Sequence, residues 1–110
     1  MEKKIDNELL AKSNVLKDMV QYQDSSVISR TLIKKGTGTV TLFAFDKGQE
    51  LSEHSAPFDA MVSIMDGEGE IIIDGNSHFM SSGESIIMPA NIPHAVKAVN
   101  KFKMLLIMIK

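Results

Sequence analysis

The segment from Ala60 to Asn76, AMVSIMDGEGEIIIDGN, decides the class of fold. Ala60, Val62 and Ile64 alternate with Met61, Ser63 and Met65, the period of two that sends successive side chains to opposite faces of a strand. This run meets Asp66-Gly67, and a second run, Glu70 to Ile73, meets Asp74-Gly75-Asn76. Asp-Gly between strand-forming runs predicts tight hairpins, because glycine accepts the positive φ that two-residue turns require. Gly67-Glu68-Gly69 reads the same way, as a hairpin turn and not a phosphate-binding loop, since no helix follows it.

The pattern continues in both directions. Upstream, Val27 to Ile33 and Thr39 to Phe45 are rich in β-branched and aromatic residues and read as strands, divided by Gly36-Thr37-Gly38 and closed by Asp46-Lys47-Gly48. Downstream, Ser85 to Met88 and His94 to Val99 flank Pro89-Ala90-Asn91-Ile92-Pro93, whose prolines cannot donate to a sheet ladder and so place that loop at a rim. The last strand, Phe102 to Ile109, is apolar on both faces after Lys103, so either an N-terminal arm or a second subunit must cover it. The expectation is a homodimer. Residues 1–24 are polar and weakly patterned, with Leu9, Leu10, Val15, Leu16, Met19 and Val20 spaced for a helical turn or an extended arm. The chain therefore reads as all-β, with a short N-terminal arm (1–24) and a single sandwich or barrel domain (25–110).

Composition narrows the partners. With 44% apolar and 24% charged residues in a 110-residue chain, one ordinary hydrophobic core is expected. A net charge of −2, with the lysines scattered among acids, offers no basic field for nucleic acid. The longest apolar run, Met104 to Ile109, falls far below the roughly 20 residues of a membrane-spanning helix, so no membrane partner is expected. Cysteine is absent, which removes disulfides, thiolate metal sites and cysteine nucleophiles. Acids are mixed into residues 1–8 and no apolar stretch follows, a pattern unlike a secretion leader, and a cytoplasmic protein is expected.

Three histidines are available for chemistry. His78 follows the Asp74-Gly75-Asn76 turn on a short polar strand and reads as solvated. His54 and His94 each stand at a strand edge beside a punctuated turn, where a sheet can aim them into one cavity. Their setting resembles the cupin superfamily, a jelly-roll β-barrel whose two motifs meet inside the barrel. The first motif, a glycine, five residues, His-x-His, three or four residues, Glu, six residues and a glycine, is met by Gly48, His54 and Gly67, with Ala56 and Ala60 in place of the second histidine and the glutamate. The second, a glycine, five residues, Pro-x-Gly, two residues, His, three residues and Asn, is met by Gly83, Pro89 and His94, with Asn91 and Ala98 departing from it.

The resemblance implies a cupin-like jelly-roll β-barrel. In the family three histidines and a glutamate hold a divalent metal, usually iron, manganese, nickel, zinc or copper. Here His54 and His94 alone are left as metal ligands, so a divalent metal is expected to be held weakly or not at all. Asp59 beside Ala60 points to the other face of its strand, and Glu50 and Glu53 read as solvated acids. Met61 and Met88 are soft donors to which copper could bind, although core packing explains methionines more simply. Alanine at positions 56 and 60 should widen the cavity and make its wall apolar, together with Val62, Ile64 and Val96, which favours a small-molecule ligand. A small-molecule-binding barrel is thus the leading reading. The alternatives are a metal-dependent enzyme of dioxygenase, isomerase or decarboxylase type, and a non-catalytic structural or regulatory barrel.

Overall fold

Alternation of apolar and polar residues is carried into nine strands in a computed structural model that describes residues 4–110. They are β1 (Lys4–Ile5), β2 (Val27–Lys35), β3 (Gly38–Phe45), β4 (Glu50–His54), β5 (Asp59–Ile73), β6 (Asn76–Ser81), β7 (Ser85–Met88), β8 (His94–Lys97) and β9 (Phe102–Ile109). The pairing is antiparallel throughout, in the order β1-β2-β3-β9-β5-β8-β4, with β6 and β7 also joined to β5. The fold is an all-β jelly-roll barrel.

β5 is the strand that closes it. Its first half lies between β7 and β9, and its second half lies between β6 and β8. The junction is a β-bulge between Ile64 and Asp66, where the ladder to β9 slips by one residue. Buried positions change phase there, from Ala60, Val62 and Ile64 before the bulge to Gly69 and Ile71 after it. A strand that crosses from one wall of a barrel to the other must bend, and an extra unpaired residue supplies the bend.

This corrects the reading of Asp66-Gly67 as a hairpin and of Gly67-Glu68-Gly69 as its turn. Gly67 does have the positive φ, +72°, but a Cβ there would stand 2.1 Å from the Lys101 carbonyl oxygen. The glycine is needed for close passage against β9. Asp74-Gly75, by contrast, does turn β5 into β6, with Ile73 paired to Asn76.

The inner core is built on Phe45, Val62, Ile64, Ile71, Phe102 and Met104. A second cluster lies on the outside of the sheet, where Leu9, Leu16, Met19, Val20 and Tyr22 cover Leu32, Leu42, Ala44 and Leu105. Leu16–Met19 forms one 3-10 turn within this covering segment. Asp6 ties the segment down through its carboxylate to Arg30 Nε at 2.6 Å, and the guanidinium holds that carboxyl below the usual aspartate range. The Tyr22 hydroxyl donates to Asp66 Oδ2 at 2.6 Å; burial first, and this carboxylate second, push the phenol well above its ordinary range. Lys103 is buried and donates from Nζ to the Lys17 carbonyl at 2.6 Å. The covering ends at Leu105; Ile107 and Ile109 lie beyond it.

Candidate functional site

His54 ends β4 and His94 opens β8, and the sheet register places them directly opposite each other. Their ring centroids are 4.4 Å apart with the planes at 66°, an edge-to-face contact. His54 is exposed and His94 half-buried. Each ring is oriented by the same local device: Nδ1 donates to the backbone carbonyl two residues earlier, Ser52 O at 2.8 Å for His54 and Ile92 O at 3.2 Å for His94. A carbonyl oxygen only accepts, so each Nδ1 carries a proton and is turned to the backbone, and Nε2 is the nitrogen of each ring left without a partner among the described residues. The pair therefore presents two Nε2 atoms from one wall of the barrel.

The loop from Pro89 to Pro93 that delivers His94 is pinned at three points. Asn91 N–H donates to the Ala56 carbonyl at 2.8 Å, Ala90 N–H to Asp59 Oδ1 at 2.9 Å, and Asp74 N–H to the Pro93 carbonyl at 2.8 Å. Asn91 has φ +66°, a conformation asparagine tolerates better than most non-glycine residues. Asparagine thus performs here the turn for which the family pattern has glycine. Asp59 holds the loop and faces away from the imidazoles, as strand alternation predicts.

The two histidines and Val96 line a cavity of about 40 Å³. The rest of its wall is Leu51 and Leu106 with three methionines, Met88, Met104 and Met108. Ala60, Val62 and Ile64 face inward but belong to the packed core and not to the cavity wall, while Ala56 sits half-buried in the loop after β4 and contributes its carbonyl to Asn91. These four residues thus lie outside the wall of the cavity that the two histidines share. Ala60 is flanked in register by Met88 on one side and Met108 on the other, and all three belong to or pack against the same core cluster. Met104 and Met108 were not distinguished by sequence, because β9 is apolar on both faces; the even positions 102 to 108 face inward only once the register is known.

The four-ligand set implied by the resemblance is not assembled. Among the described residues no group of three or more His, Cys, Asp or Glu side chains converges. Glu50 and Glu53 are exposed, His78 is exposed on β6, and Met61 lies on the outer face of the sheet opposite Ile87. No helix among the described residues is long and apolar enough to cross a membrane.

Residues 41–110 match the cupin domain family. A conserved protein of unknown function from Streptococcus pyogenes is 43% identical, with a TM-score of 0.91 over 96% of this chain and 93% of that one. A cupin 2 conserved barrel domain protein from Leptotrichia buccalis is 44% identical with a TM-score of 0.84; the match covers 86% of this chain and 46% of that one, so this chain spans about half of that relative. A cupin superfamily protein from Desulfitobacterium hafniense, 24% identical over 96% of this chain and 97% of that one, shares the fold with a TM-score of 0.89. No curated protein matches the chain.

Proposed function

The chain belongs to the cupin domain family, and on that premise we propose that it is a ligand-binding cupin whose site is the His54 and His94 pair at the barrel rim. The observation that carries this reading is the pair of Nδ1 bonds to Ser52 O and Ile92 O, which turns both Nδ1 atoms to the backbone and keeps the two Nε2 atoms for an occupant. As neutral imidazoles with Nδ1 protonated the two rings accept at Nε2, which favours a partner that is itself a hydrogen-bond donor or a cation, so the small molecule is held directly or through a weakly bound metal ion that it completes. A cavity of about 40 Å³ is small for a whole ligand; it admits an ion, or a tip the size of a few water molecules at roughly 10–15 Å³ each. The rest of the ligand lies on the exposed side of His54.

The test is thermal unfolding of metal-stripped protein against Zn(II), Ni(II), Cu(I), small amines and polyols. At about 100 times Kd a bound probe adds ~2.7 kcal/mol, a rise on the order of 10 °C for a domain of this size. At least one probe is expected to raise Tm in the wild type and to lose that effect in His54→Ala and in His94→Ala. No rise with any probe, or a rise that persists in both variants, would remove the reading.

The same proposal includes a homodimer. On the outer face, Ile87, Met61, Ile107, Val40, Ile33 and Ile5 form a single row in register across β7, β5, β9, β3, β2 and β1, with Val40 also packed against the cluster under the N-terminal segment. The neighbouring row runs Asp59, Ile109, Gly38, Lys35. A two-fold axis parallel to the strands reverses each row, stacking apolar on apolar and setting Asp59 opposite Lys35 of the partner subunit, the self-complementarity an isologous contact needs. Light scattering at micromolar concentration is expected to give a dimer for the wild type and a monomer of unchanged circular dichroism for Met61→Lys. A monomeric wild type would refute the dimer.

A further inference from the structure

Three of the eight methionines end at the cavity that holds the two imidazoles. Met88 on β7 and Met108 on β9 flank Ala60 directly in the ladder, and Met104 lies four residues before Met108 on the same inward face. Met88 and Met104 are nearly inaccessible, at 3% and 1% exposed. The opposite wall, from β4 and β8, supplies His54 and His94. Among the described residues no aspartate, glutamate, lysine or arginine lines the space.

We propose that this cavity is a soft-cation site that binds one monovalent copper ion through Nε2 of His54 and His94 and the thioether sulfurs of Met88 and Met108. The proposal rests on the histidine pair being the ligand site and names its occupant. Every donor on the wall is neutral. The cost of burying an ion scales with the square of its charge, so a monovalent ion is penalised about a quarter as much as a divalent one where no carboxylate offsets the charge. Alanine at position 60 removes that carboxylate, and the side chains in register beside it are thioethers. Thioethers are soft donors that select Cu(I) over harder divalent ions, and imidazole accepts copper readily. The volume of about 40 Å³ suits an ion with little else.

The experiment is an anaerobic titration of metal-free protein with Cu(I) in competition with bicinchoninate, run in parallel with Zn(II). Methionine-methyl NMR is recorded on addition of Ag(I), a redox-inert stand-in for Cu(I). One equivalent of Cu(I) is expected to bind, more tightly than Zn(II). One equivalent of Ag(I) should shift the methyl resonances of Met88 and Met108 and leave that of Met61 unmoved. Met88→Leu and Met108→Leu conserve volume, so the barrel should stay folded, and each should weaken Cu(I) by roughly 10- to 100-fold while leaving Zn(II) unchanged. The NMR readout on the wild type stands even if a leucine variant folds poorly. Absence of Cu(I) binding, an unchanged Cu(I) affinity in both leucine variants, or unmoved Met88 and Met108 methyls overturns the soft site. If Zn(II) or another probe still binds through the histidines in that case, the two-histidine reading survives; if binding also persists in His54→Ala and His94→Ala, both fall.

Discussion

Phe102→Ala is expected to lower the unfolding free energy by about 3–5 kcal/mol, measured by urea denaturation at constant m-value. Phe102 is 0% exposed. Its ring lies on Phe45 at a centroid distance of 4.7 Å with planes 2° apart, an offset stack that adds to the area the two rings bury. On its other side it rests on the backbone of Gly69, where a Cβ would fall 2.7 Å from the ring. The hole left by truncation cannot close readily, because β9 is held in register by β3 on one side and β5 on the other. The domain as a whole is stabilised by about 5–15 kcal/mol, so the variant should lose a large share of its margin. A loss below about 1.5 kcal/mol, the scale of a volume-conserving change, would show that the two walls of the barrel do not meet through this ring.

The prediction bears on what the sequence could convey. Strand existence was legible wherever period-two alternation met a turn: β2, β3, β7 and β9 fall where β-branched runs and Gly-containing turns place them. The histidine pair was legible because His54 and His94 keep fixed distances in sequence from Gly48, Gly83 and Pro89, which lie in connections between strands, and from Gly67, which lies beside the bulge of β5. The contents of the cavity were not. Which face of β9 turns inward depends on its register with β3 and β5, a long-range property, so Met104 and Met108 could not be separated from Leu105 and Ile107 by local pattern. The orientation of each imidazole depends on the carbonyls of Ser52 and Ile92, whose directions are set by the fold and not by the identities of those residues. The lone apolar methyl of Ala60 suggested empty space because its cross-strand neighbours, Met88 and Met108, come from segments 28 and 48 positions along the chain.

The two Asp-Gly pairs make the distinction measurable. Gly67→Ala is expected to cost about 2–5 kcal/mol, the sum of ~1–2 kcal/mol for a side chain in the left-handed region and ~1–3 kcal/mol for the enforced contact. Gly75→Ala should cost only the first of these, ~1–2 kcal/mol. The glycines have similar φ, +72° and +79°, and each follows an aspartate. They differ in surroundings: a Cβ on Gly75 meets nothing within 4 Å, whereas one on Gly67 meets the Lys101 carbonyl oxygen at 2.1 Å and Phe102 Cα at 3.0 Å. Both contacts are to backbone, so no rotamer change relieves them, and β5 must move away from β9 at the bulge. That bulge sets the phase which points Ile71 and Ile73 inward, and Ile73 is the register partner of His94. Gly67→Ala should therefore disturb the separation of the imidazoles and reduce ligand-induced stabilisation, while Gly75→Ala should leave it intact. Equal losses of stability in the two variants, with binding preserved in both, would show that Asp66-Gly67 acts as an ordinary positive-φ turn and that the bulge does not position the site.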